Sequence, residues 1–228
     1  MYKFETIQKV VNNLKTRVMF YEAKEVGDIK MCISDGNKKI GRVLNVSLPP
    51  VVTCPNCGQC MKLCYDIKAC NQYPNTVVDA RARNLAILNK NRDEYFGRIE
   101  EKLRRRRKNK FFRWHVAGDI VDYDYFCRMV EIAKNHPEFI FWTYTKAYGT
   151  VNEYCKRNGR DAIPANFSIM FSEWRGMPMN NPFGFPEFKV VFKDEEKPVG
   201  FYCPGNCDVC KEIHRGCLAS ETTYCNEH

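Results

Sequence analysis

Two short runs of cysteines offer most of the chemistry in this sequence. The chain has 228 residues and thirteen cysteines. The first run, CPNCGQCMKLC, has a C-x2-C-x2-C-x3-C spacing and comprises Cys54, Cys57, Cys60 and Cys64. The second begins CPGNCDVC and comprises Cys203, Cys207, Cys210 and Cys217. Short spacings let several sulfurs converge with little loss of loop entropy, and thiolates are soft ligands that suit iron and zinc. Both runs are therefore predicted to bind metal.

The spacing of the two runs favours iron–sulfur clusters. The first run matches the bacterial ferredoxin pattern, although Tyr65 stands where that pattern has proline. The second contains C-x3-C-x2-C, the spacing with which radical S-adenosylmethionine enzymes hold three irons of a four-iron cluster. We therefore predict one or two [4Fe-4S] clusters, with S-adenosylmethionine as a candidate second cofactor.

Structural zinc is the main alternative for both runs. Zinc ribbons use paired C-x2-C knuckles separated by a longer loop, whereas three or four cysteines crowd each run here. Closure of both runs around a single site also stays open. Cys32, Cys127 and Cys155 lie in strand or helix patterns and are predicted to be core thiols. Cys70 and Cys225 lie near the runs and are further candidate ligands.

Composition places the chain in a reducing compartment. The first residues lack the apolar core of a secretory signal, and no stretch approaches the roughly 20 apolar residues of a membrane span. Disulfides are rare in the cytoplasm, so metal binding explains the cysteines better. The formal charge is +9, and part of that excess lies in the basic run at 104–110. That basic run is read as the solvated end of a helix, with nucleic-acid binding left open.

Apolar periodicity predicts an α/β fold for a single domain, residues 1–228. An N-terminal helix precedes predicted strands at 18–21, 30–34 and 42–48, and one or two helices fill 77–107. From residue 111 onward, strands alternate with helices. The strands are predicted at 111–116, 139–145, 167–171 and 189–192. The helices between them are predicted at 123–135, with Asp122 as a candidate cap, and at 151–158. This order implies a largely parallel sheet or a partial, incomplete TIM-like barrel with cysteine-rich metal-binding loops.

Polar residues follow three of the predicted strands. Ligands of parallel sheets bind at the carboxyl ends of the strands. We therefore assign candidate catalytic roles to Asp119, Lys146 and Glu173, and candidate cofactor-binding roles to His115 and Ser172. The alternatives are a turn cap for Asp119, a solvated position for Lys146 and a hydrogen-bonded core position for His115.

Four long segments resemble the phage-encoded gene product 88 family. They read SLPPVVTCPNCGQCMKLCYDIKACNQYP, FRWHVAGDIVDYDYF, FWTYTKAY and YCPGNCDVC. The resemblance implies a viral origin and a location in the cytoplasm of a bacterial host. The cysteines and the strand–helix alternation are also similar to the radical S-adenosylmethionine fold. The chain departs from that fold because its C-x3-C-x2-C lies near the C-terminus rather than after the first strand.

The sequence thus predicts an iron–sulfur protein with redox or radical-type chemistry on a small-molecule substrate or redox partner. One alternative is a zinc-stabilised nucleic-acid-binding module, in which aromatic residues beside the basic run stack on bases. Those aromatics are Tyr95, Phe96, Phe111, Phe112 and Trp114. A second alternative is an electron-transfer or structural cluster protein that has no substrate.

Overall fold

Helices form wherever apolar residues recur at helical spacing. The computed structural model describes residues 2–38 and 40–227. The α-helices within these ranges are Phe4–Glu22 (α1), Tyr65–Gln72 (α2), Asp79–Lys90 (α3), Arg92–Arg105 (α4), Tyr123–Asn135 (α5), Tyr148–Asn158 (α6) and Cys207–Ile213 (α7). Helix α5 has the predicted bounds, and the Asp122 carboxylate caps it by accepting a hydrogen bond from the Tyr125 amide at 2.8 Å.

The strands in the described ranges form one mostly parallel sheet. They are Ile33–Ser34 (β1), Leu44–Val46 (β2), Phe111–Trp114 (β3), Ile140–Thr145 (β4), Phe167–Glu173 (β5), Glu187–Val191 (β6), Phe201–Tyr202 (β7) and Thr223–Asn226 (β8). Their order across the sheet is β1-β2-β3-β4-β5-β6-β8-β7, and among these pairs only β1 and β2 run antiparallel. The α/β class, the single domain and the largely parallel sheet are confirmed.

The winding of the sheet bears on the barrel prediction. Strands β2 to β6 are neighbours in chain order, as in singly wound barrels, but β8 inserts between β6 and β7. This order does not establish closure or curvature, so the partial barrel stays a prediction.

The two faces of the sheet have different partners. Alternation along a strand sends Phe112 and Trp114 to one face, where they pack with helices α3 to α6 in the main core. The opposite face carries Trp142 and Met170, which pack with Cys207 and Cys217 of the C-terminal segment. The second cysteine run therefore lies against the face of the sheet that those helices do not cover.

One predicted strand was wrong. Residues 18–21 belong to α1, because Val18 and Tyr21 continue the buried stripe of Leu14 and the residues before it. The region 77–107 forms two helices, which separate at Asn91. The Asn91 side chain accepts a hydrogen bond from the Glu94 amide at 2.9 Å and so starts α4.

In the described residues, no helix has both the length and the apolar character needed to cross a membrane.

Candidate metal and ligand site

A cavity of about 240 Å³ lies at the carboxyl ends of the central strands. All four cysteines of the first run line it, together with Cys225 from β8. The polar lining from the strand ends includes Arg113, His115, Asp119, Tyr144, Lys146 and Ser172. The strand-end rule thus brings four of the five predicted non-cysteine site residues to one place.

The first cysteine run is held by contacts with the loop that follows β3. It begins shortly after β2, and the Leu48 amide donates a hydrogen bond to the Ala117 carbonyl at 2.9 Å. Gly118 has a φ of +82°, and a Cβ there would lie 2.7 Å from both the Leu48 Cβ and the Thr53 Oγ1. Only glycine therefore permits this close approach, which sets Asp119 beside the cysteines.

Burial governs the acidity of the first-run thiols. It raises the pKa of Cys54 well above the ordinary thiol range and that of Cys64 to about 11. Burial also raises the pKa of Cys60, and the nearby Lys146 ammonium partly opposes that rise. These thiols are protonated at neutral pH without metal, so metal binding would release protons and strengthen as pH rises.

The second cysteine group surrounds Cys203. The thiols of Cys207, Cys210, Cys217 and Cys225 each interact electrostatically with it. The Tyr144 hydroxyl donates a hydrogen bond to the Cys217 sulfur at 2.9 Å. Burial raises the pKa of Cys210 to about 11 and that of Cys217 and Cys225 to about 12. Because Cys225 also lines the cavity, this group extends to the first run.

The described residues contain no group of three or more His, Cys, Asp or Glu side chains placed so that they could hold a metal ion. The sulfurs of each run are neighbours along the chain, and those of the first run line the cavity, but they are not drawn together around one point. Any metal would have to bring them together, as is common where metal binding is coupled to folding.

Asp119 connects the ends of β3 and β4. It is 6% exposed, and its carboxylate accepts hydrogen bonds from Thr145 Oγ1 at 2.6 Å, Lys146 N at 2.8 Å and Ile120 N at 2.7 Å. Burial raises the pKa of this carboxyl, and the three hydrogen bonds oppose that rise. Asp119 therefore positions the strand ends beside the cysteines. Its predicted catalytic role stays a prediction.

Lys146 and Ser172 form a pair in the cavity wall. The Lys146 ammonium donates to Ser172 Oγ at 2.8 Å and lies 5.7 Å from the centre of the Trp174 ring. No carboxylate of the described residues forms a salt bridge with it. Glu173, the next residue of β5, does not line the cavity and instead forms a salt bridge with Lys189 at 2.6 Å.

His115 sits directly after β3 in the left-handed region, with a φ of +53°. It is 3% exposed, and its Nε2 lies 3.0 Å from the Tyr125 hydroxyl. Its Nδ1 has no hydrogen-bond partner in the described structure. Burial and the charge of Arg113 lower the pKa of His115 to about 3, so the ring is neutral. His115 therefore makes a hydrogen bond in the core, which was the alternative prediction, and it also lines the cavity.

Sequence reasoning missed Arg113 and Tyr144. Both lie on the sheet face opposite Phe112, and the Arg113 guanidinium stacks 4.5 Å from the centre of the Tyr144 ring. The available signal was a lone arginine in the aromatic strand FFRW, two residues before His115. Alternation along a strand places such a residue on the face that Phe112 and Trp114 do not use.

Three of the six basic residues at 104–110 form ordinary surface ion pairs. Arg105 pairs with Glu101, Arg106 with Asp35 at 2.9 Å, and Lys110 with Glu138 at 3.5 Å. Four of the aromatic residues proposed to stack on bases are at most 1% exposed: Tyr95, Phe96, Phe112 and Trp114. These four are core residues, so they cannot form a stacking surface without unfolding.

Comparison with known proteins gives one relationship. No curated protein and no solved structure matches the chain. The family model for gene product 88 matches residues 22–214, a range that contains the whole first cysteine run, Cys203 to Cys210 of the second and every polar strand-end residue of the cavity. The match covers most of the chain, and the protein therefore belongs to the gene product 88 family.

Proposed function

We propose that this is a viral iron–sulfur protein that acts in the cytoplasm of a bacterial host. Cys54, Cys57, Cys60 and Cys64 would hold a [4Fe-4S] cluster at the cavity, and the second cysteine group would hold another or complete the same site. The observation that carries this proposal is the single cavity that all four first-run thiols share with the polar strand ends.

The size and charge of the cavity fit such an occupant. Its volume is about 240 Å³, whereas one water molecule occupies roughly 30 Å³. It therefore has room for a polynuclear cluster and part of a small molecule. A cluster held by four thiolates carries net negative charge, and the cations of Arg113 and Lys146 both line the cavity. A bound cluster would supply one-electron transfer there.

The two alternatives receive less support from the geometry. A zinc-stabilised nucleic-acid module loses its stacking surface, because most of the aromatics beside the basic run are buried. A structural cluster without a substrate has no need of a cavity that extends beyond the cysteines to the polar strand ends. The cavity therefore favours a protein that binds a small molecule beside its metal.

Metal analysis tests the proposed cofactor. Protein purified without oxygen and with iron supplied should be brown, absorb near about 400 nm and contain iron together with acid-labile sulfide. The physical reason is the soft, all-thiol lining of the first run. Stoichiometric zinc without sulfide in such a preparation would contradict the proposal.

Radical-type chemistry requires an iron that accepts a ligand other than cysteine. In the reduced protein, S-adenosylmethionine should then change the electron paramagnetic resonance spectrum. Cys217 can close the second group, because it can supply a fourth thiolate beyond the C-x3-C-x2-C triplet.

Wild type and Cys217→Ala are therefore compared with and without S-adenosylmethionine. A bystander Cys217 gives both proteins the same spectrum and the same response. A fourth ligand makes the wild type unresponsive and alters the cluster in the variant. Absence of both a response and cleavage of S-adenosylmethionine in the wild type would remove the radical-enzyme interpretation.

A further inference from the structure

We propose that the cavity binds a small molecule through an oxyanion group, a carboxylate or a phosphate, which Arg113 receives and the charge of Lys146 helps to attract. This inference deepens the proposed function and rests on it for its role in the cell. The residues that carry it are not thiols, so the two can fail separately.

Arg113 is a half-buried cation without an ionic partner among the described residues. No hydrogen bond or salt bridge reaches its guanidinium in that part of the chain, and its Nε is buried. Its neighbours are the phenols of Tyr65 and Tyr144 and the thiols of Cys207 and Cys217. A guanidinium does not lose its proton in a protein, so an anion in the cavity would meet a charge that no described carboxylate balances.

The carboxylates at the cavity do not supply that anion. Asp66 is held by Arg81, whose Nε and Nη2 donate to its two oxygens at 3.3 and 3.0 Å. Asp119 accepts three other hydrogen bonds. Glu227 also lines the cavity but forms no ion pair with Arg113. The missing partner must come from outside these side chains.

The shape of the Arg113 site suits a planar or tetrahedral oxyanion. Its guanidinium stacks on the Tyr144 ring, so its face is covered and its edge is left to donate hydrogen bonds. A guanidinium edge offers parallel N–H groups that match two oxygens of a carboxylate or phosphate. The ammonium of Lys146 adds positive charge from the neighbouring strand end.

Calorimetric titration of the full-length protein, purified anaerobically with the metal it contains, tests this inference. The probes are succinate, inorganic phosphate and succinamide, the neutral analogue of succinate. Succinate or phosphate should bind saturably, and succinamide should not. Whichever anion binds more tightly shows whether the natural ligand carries a carboxylate or a phosphate. Arg113→Gln should weaken binding at least about 10-fold, a loss of about 1.4 kcal/mol. Arg104→Gln removes the same charge from exposed helix surface and should leave binding unchanged.

A conservative variant guards against misfolding. Arg113→Lys keeps the charge but loses the paired donors, so it should bind with intermediate affinity.

Three results would overturn the inference. They are equal binding by wild type and Arg113→Gln, equal binding of succinamide, or no saturable binding of either anion by the wild type. Iron is measured in the same samples. If anion binding depends on Arg113 but the protein contains no iron, the iron–sulfur proposal is wrong and this inference stands. If Arg113→Gln loses iron and the wild type binds no anion, Arg113 is a counter-charge for thiolates and this inference is wrong.

Discussion

Replacing Cys60 by alanine should strip the metal bound by the first cysteine run and destabilise the protein. Cys60 lines the cavity and lies beside Cys57 and Lys146. The loop around it has no buried apolar residue between Gly58 and Leu63, so the metal must contribute most of its stability. Structural zinc sites contribute about 10–16 kcal/mol to folding, which sets the scale of the loss. Iron, zinc and sulfide per chain and the melting temperature are the measurements.

Two further variants turn this result into a count of sites. If the runs hold separate clusters, Cys60→Ala and Cys207→Ala should each lose only part of the metal, and the double variant should lose all of it. If both runs close around one site, either single variant should lose nearly everything. Cys155→Ala is the matched control, because that thiol is buried in α6 within the main core and away from the cavity. Unchanged metal in both single variants would contradict their assignment as ligands.

The central part of the fold followed from the sequence because its elements are long and regularly patterned. Helix α5 has the stripe and the Asp122 cap that define it in isolation. The structure of residues 18–21 was not predicted correctly. Their β-branched and aromatic residues favour a strand locally, whereas their spacing from Leu14 continues the helix. Strands β7 and β8 are short and lie among cysteines, where no apolar period can develop.

The site was predictable to the extent that strand ends converge. His115, Asp119, Lys146 and Ser172 line one cavity as parallel topology requires. Ser172 and Glu173 were expected at the same pocket, yet consecutive residues of a strand point to opposite faces. Glu173 accordingly pairs with Lys189 on the adjacent strand. Cys225 was a candidate ligand because it lies near the runs, but its place in the same cavity as the first run depends on β8 inserting beside β6.

Asp119→Ala should produce the largest loss of stability among the cavity residues outside the cysteines. The substitution leaves the hydroxyl of Thr145 and the amides of Ile120 and Lys146 without their acceptor. A buried donor without an acceptor costs about 1–3 kcal/mol. We expect a loss of at least about 3 kcal/mol in the free energy of unfolding. For a chain of this size, that lowers the melting temperature by roughly 6–12 °C.

Two comparisons separate this hydrogen-bond effect from a loss of charge or of side-chain volume. Asp119→Asn keeps one oxygen to accept from Thr145 and Ile120, but it presents an amide group to the Lys146 amide. Its loss of stability should therefore fall between those of wild type and Asp119→Ala. Asp161→Ala removes an exposed carboxylate from the short helix Arg160–Ala162 and should change stability by at most about 0.5 kcal/mol. If Asp119→Ala and Asp161→Ala have the same melting temperature, Asp119 does not join the strand ends. The link between β3, β4 and the cysteine loop must then lie in the backbone contacts of Leu48 and Ala117.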